Sequence, residues 1–112
     1  MPSRRKERSP SLIKKLAAEF IGRNIGLAGV VITVTRVEIK SGFGRIEIFI
    51  SVWPENKEKE IAAELKESER DFYEYMLKNF KIKYMPSFSF EIDRGEKARL
   101  KVEEILKKNR AS

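Results

Sequence analysis

The residues whose type and spacing could do chemistry are cations. Arg4, Arg5, Lys6 and Arg8 crowd the N-terminus, Lys14, Lys15 and Arg23 follow, Lys78, Lys81 and Lys83 recur downstream, and Arg70 stands among acids. Guanidinium and ammonium groups clustered in this way suit the neutralisation of phosphates, with release of counterions. A basic surface that serves only solubility is the competing reading. The charge is uneven: residues 1–50 hold ten Lys or Arg against four Glu, a net of +6, while residues 51–112 hold fourteen against thirteen acids, a net of +1. Such asymmetry is the footprint expected of a polyanion binder. The chain contains no His and no Cys, which removes the usual zinc ligands together with imidazole and thiolate chemistry. Asp71 and Asp93 are the only aspartates, the glutamates fall on helix surfaces as solvated ion pairs, and no activated nucleophile stands out. The expectation is a protein without catalysis, metal or cofactor.

These cations need elements to hold them. A chain of 112 residues is one domain's worth, large enough for a single core. With 37% charged and 41% hydrophobic residues it lies in the globular range. No apolar run approaches the ~20 residues that span a bilayer, and no segment of signal-peptide type follows the N-terminus. A soluble, cytoplasmic monomer is expected. Residues 1–8 read as a flexible basic arm, residues 9–108 as the single domain and residues 109–112 as a tail. Ser9 and Pro10 have the types favoured at the start of a helix. Leu12, Ile13, Leu16, Ala17, Phe20 and Ile21 then give that helix an apolar stripe, ending near Gly22.

The organising stretch comes next. Two β-branched runs, from Val30 to Ile39 and from Ile46 to Val52, flank Gly42 and Gly44 and predict a hairpin. Pairing Ile39 with Ile46 sets Val37 opposite Ile48 and Thr35 opposite Ile50, which aligns the apolar residues of both strands. The apolar parity of the first run changes along its length, indicating either a bulge near Thr35 or burial of both faces. The loop lacks the spacing of a phosphate loop, so its glycines read as turn residues. From Lys57 to about Phe80 neither Pro nor Gly occurs, and Ile61, Leu65, Ser68, Phe72, Met76 and Phe80 trace one helical stripe. Residues 55–74 carry eight acids against Lys57, Lys59, Lys66 and Arg70, so this part should not approach phosphates closely. At its end Lys78, Lys81 and Lys83 suit either a helix C-terminus or a ligand. Pro86 breaks the chain, Phe88, Phe90 and Ile92 alternate as a third strand, and Asp93 with Glu96 has capping-box spacing before a final helix marked by Ala98, Val102, Ile105 and Leu106. The class is α+β, with a three-stranded sheet covered by helices in the order α-β-β-α-β-α. The third strand could join either edge of the hairpin.

The assembled pattern resembles the ribosome-binding factor A family of bacterial small-subunit assembly factors. The resemblance is carried by Val37-Glu38-Ile39, by Ile46-Glu47-Ile48-Phe49-Ile50-Ser51, by Leu65, and above all by Leu77, Phe80, Lys81-Ile82-Lys83, Pro86 and Phe90-Glu91-Ile92-Asp93, in order, over about residues 4–108. It implies a type II KH-like fold, binding to small-subunit rRNA in late maturation, frequently a part in cold adaptation, and no catalysis. Where the family has a kinked helix pair with Ala-x-Gly, this chain has Ser68-Glu69-Arg70, which leaves the kink open. The family's Asp in the hairpin loop is Gly42 here.

The leading expectation is therefore a non-catalytic RNA-binding factor of ribosome biogenesis and rRNA processing, whose partners are small-subunit rRNA and neighbouring ribosomal proteins, with neither membrane nor small-molecule substrate. Arg4, Arg5, Lys6, Arg8, Lys14, Lys15 and Arg23 would contact phosphate, with Lys78, Lys81 and Lys83 as a second patch and Arg70 as a further contact. Such contacts position without reading sequence. Phe43 or Trp53 could add base stacking. The alternative is a protein-interaction module using the acidic helix face and a free sheet edge.

Overall fold

The computed structural model describes residues 2–95, and the side chains of all of these except residues 2–9 and 43. Helix α1 (Pro2–Asn24) leads into strands β1 (Val31–Lys40) and β2 (Arg45–Trp53), followed by helices α2 (Glu58–Glu67) and α3 (Glu69–Asn79) and strand β3 (Ser87–Ile92). Short 3-10 turns at Ser41–Phe43 and Glu55–Lys57 join β1 to β2 and β2 to α2. The sheet order is β1-β2-β3, with β1 and β2 antiparallel and β3 parallel to β2. That settles the placement of the third strand. A parallel neighbour requires a crossover, and α2 with α3 supplies it.

The alternation in β2 produces the core. Ile46, Ile48, Ile50 and Val52 are buried on one face, while Arg45 and Trp53 on the other are exposed. Against the buried face pack Ile13, Leu16, Ala17, Phe20 and Ile21 of α1, Ile61 and Leu65 of α2, and Phe72 and Met76 of α3. Leu12 belongs to the α1 stripe by its type and spacing, but it is 41% exposed. It lies beside Ile13, and successive helical positions turn by about 100°, carrying it off the buried face. Phe72 sits at the centre of a ring cluster: its centroid lies 5.2 Å from Phe20, 5.2 Å from Phe88 and 5.1 Å from Phe90.

Three local features correct or decide the pattern read in the chain. Ser9 and Pro10 do not open the first helix. It runs from Pro2 with Pro10 inside it, and the Arg, Lys and Glu between are good helix formers. The long helix is interrupted at Ser68 (φ −92°, ψ 2°), whose amide bonds back to Glu64 and Leu65 at 3.1 Å each. Serine is a poor occupant of a helix interior. The interruption sets Glu69 at the start of α3, where its carboxylate accepts the Phe90 amide of β3 at 3.1 Å. An edge-strand donor is satisfied by a side chain in this way.

The third feature is the bulge. Ile39 pairs with Ile46 and Val37 with Ile48, as expected, but Val34 and not Thr35 lies opposite Ile50, because the register shifts between Val34 and Arg36. Thr35 is the extra residue. Its hydroxyl lies 2.5 Å from Asp93 Oδ2 and 3.2 Å from the Phe49 carbonyl, and Arg36 Nε lies 3.3 Å from the same Asp93 oxygen. The buried Asp93 carboxylate thus ties β1 to the chain leaving β3, across the central strand. Its capping role with Glu96, and the final helix, lie outside the described residues. Asp93→Ala should lower the free energy of unfolding by about 1.5–3 kcal/mol, the range for hydrogen bonds to a charged group. A lower urea midpoint at unchanged slope would show this; an unchanged midpoint would mean that the tie adds nothing.

Candidate nucleic-acid interface

The fold sorts the cations into bound and unbound. On the sheet face away from the helices, Arg36 pairs with Glu38 and lies 3.8 Å above the Phe49 ring. Lys40 lies 3.4 Å from Glu38 and 3.8 Å from Glu47, and Arg45 lies 3.4 Å from Glu47. This ladder neutralises the three strand cations of the basic half. Most of the excess positive charge of residues 1–50 therefore belongs to α1, which holds seven cations against Glu7 and Glu19. Among the described residues, Lys14, Lys15, Arg23, Arg70, Lys78, Lys81 and Lys83 are exposed and form no ion pair with a carboxylate.

The predicted residues fall in separate places. Arg4, Arg5, Lys6 and Arg8 lie on the first turns of α1, and their side chains are outside the described set. Lys14 and Lys15, with Ser11 and Ala18, face Ile32, Thr33 and Val34 of β1 across a depression of about 420 Å³. Arg23 closes α1. Arg70 sits in the first turn of α3 between Glu69 and Asp71, so the acids expected around it are there. Lys78 ends α3, and Lys81 and Lys83 follow in the segment leading to β3.

Lys83 belongs to a second depression, of about 400 Å³, formed where the segment Ile82–Pro86 meets Ser41, Gly42 and Gly44 at the hairpin tip. The tip is held by its own backbone. Ser41 (φ 53°) and Gly42 (φ 58°) are both left-handed, and Gly44 N–H donates to the Ser41 carbonyl at 3.0 Å. Gly, Asp and Asn are the residues that tolerate this conformation best, so Gly42 meets the same backbone demand as the Asp that the resemblance puts there. The Ser87 amide donates to the Gly44 carbonyl at 3.1 Å, tying the tip to the start of β3. Tyr84, on this rim, is 77% exposed. Nothing in the chain marks it in advance, because a lone tyrosine near a proline carries no periodic signal.

Trp53 is exposed too, at 69%, but it ends β2 at the opposite extreme from the tip, roughly 25 Å away at ~3.3 Å per residue. The Phe43 side chain is outside the described set. A concavity of about 700 Å³ between α2 and the sheet is lined by Arg45, Lys66 and Arg94 against Glu47, Glu69 and Glu91. With its charges balanced, it offers a polyanion nothing. No group of three or more His, Cys, Asp or Glu able to hold a metal occurs among the described residues, and no helix among them is long and apolar enough to cross a membrane.

An α+β domain of type II KH-like order, with carboxylate-free cations on its helices and rim, is the class these features define. The chain belongs to the ribosome-binding factor A family, whose model matches residues 5–106. Its fold is similar to the crystal structure of ribosome-binding factor A from Thermus thermophilus, with a TM-score of 0.66 and 17% identity over 78% of this chain and 93% of that one. No curated protein matches the chain in sequence.

Proposed function

We propose that this protein is a non-catalytic, RNA-binding assembly factor that associates with the small ribosomal subunit in the cytoplasm during late maturation, as a monomer. The observation that carries the reading is the family match over residues 5–106, and the unpaired cations give it a physical mechanism. Lys14, Lys15 and Arg23 on α1, with Arg4, Arg5, Lys6 and Arg8 on its first turns, would contact one stretch of backbone phosphate. Lys78, Lys81 and Lys83 would contact another, with Arg70 as an outlying contact. The acids of α2 and α3 turn the crossover away from RNA and orient the domain on it. Specificity then rests on the shape of folded rRNA, which such contacts can only position.

The test is co-sedimentation with immature small subunits across a salt series. Binding should be present at low salt and fall steeply as salt rises, since six to ten phosphate contacts weaken binding by about 10³–10⁵ between 50 and 200 mM salt. No co-sedimentation at low salt would refute the reading. Salt-insensitive binding to a ribosomal protein, without RNA, would favour a protein-interaction module.

A further inference from the structure

We infer that Tyr84 and the depression beside it form a stacking site for one unpaired RNA base, an inference that rests on the RNA-binding reading above. Tyr84 is prominent, and the chain is anchored on both sides of it. The residue is 77% exposed, whereas Phe80 on one side and Pro86 on the other are buried. The short segment between these anchors carries the ring at the surface, where a partner can reach it.

The surroundings suit a nucleotide. Lys83 Nζ lies over one face of the Tyr84 ring, 5.4 Å from its centroid, so a base would stack on the other face, with a cation close enough to neutralise that nucleotide's phosphate. The neighbouring depression of about 400 Å³ is above the ~300 Å³ at which small-molecule sites begin. One wall is the hairpin tip, where Ser41 holds a left-handed conformation that non-glycine residues rarely adopt. Strained backbone of this kind concentrates at ligand-binding positions. Aromatic stacking accepts any base, because each has a π-face. A base inside a duplex is out of reach, so the ligand is an unpaired nucleotide in a loop, bulge or single strand.

The full chain titrated at low salt with a labelled single-stranded oligoadenylate, and separately with a fully paired RNA duplex, tests this. Tyr84→Ala should weaken oligoadenylate binding roughly tenfold or more and leave duplex binding unchanged. Tyr84→Phe should bind both RNAs as the unaltered protein does, while Tyr84→Leu, apolar without a π-face, should remain weak on the single strand. Equal melting temperatures would show that the variants are folded. If Tyr84→Ala binds oligoadenylate normally while replacement of Lys78, Lys81 and Lys83 weakens it, RNA binding stands and the stacking site is overturned. If the unaltered protein binds neither RNA, the RNA-binding reading falls and takes the site with it.

Discussion

Phe72→Ala is expected to remove about 3–5 kcal/mol of stability, the range for large aromatic side chains deleted from a core. Phe72 is fully buried and meets Phe20 of α1 and both Phe88 and Phe90 of β3, with Tyr75 stacked 6.5 Å away on its own helix. One side chain thus joins the first helix, the crossover and the last strand. These elements are distant in sequence, so no local rearrangement can refill the space. Domains of this size hold only about 5–15 kcal/mol in total, and the variant should be partly or wholly unfolded at 37 °C. Thermal and urea denaturation would measure it. A loss below about 1 kcal/mol would mean that the ring cluster is not the centre of the core.

The second large effect concerns binding. Simultaneous replacement of Lys78, Lys81 and Lys83 by alanine should weaken association with small-subunit rRNA and flatten its salt dependence by about one unit of slope for each phosphate that is no longer neutralised. All three ammonium groups are exposed and none has a carboxylate partner among the described residues, so removing them leaves no uncompensated charge in the fold and stability should hold. The control is the equivalent replacement of Lys40 and Arg45, which are committed to Glu38 and Glu47. That pair should change the salt slope much less. Equal slopes for the two variants would show that Lys78, Lys81 and Lys83 meet RNA no more than the ladder does.

The contrast between these lysines shows where sequence reading runs out. In the chain Lys40 and Lys83 look alike, each a basic residue near a turn. Only pairing across the hairpin puts Lys40 beside Glu47, which side-chain type cannot reveal. The same holds for Asp93, whose partners Thr35 and Arg36 are fifty-eight and fifty-seven residues away. The parity change in β1 indicated that something happens near Thr35. That it is a bulge serving a buried carboxylate follows from the strand order alone. Ser68 was legible as a weak point in an otherwise continuous stripe. That the interruption brings Glu69 to the edge of β3 is visible only in the folded chain.

Local patterning determined the elements, the hairpin register near its turn and most of the buried residues. These depend on periodicities of 2.0 and 3.6 that any stretch of chain expresses by itself. The tertiary structure decided which edge β3 joins, which cations remain unpaired, and that Tyr84 stands exposed at the rim of the hairpin tip. The physical reason is that strand order and surface exposure depend on residues far apart in sequence, as does the Arg36–Asp93 pair, whereas the ladder's other ion pairs close within the hairpin. Clusters of positive charge announced a polyanion partner from the sequence; the sheet, by neutralising some of those charges and leaving others free, determines which can meet it.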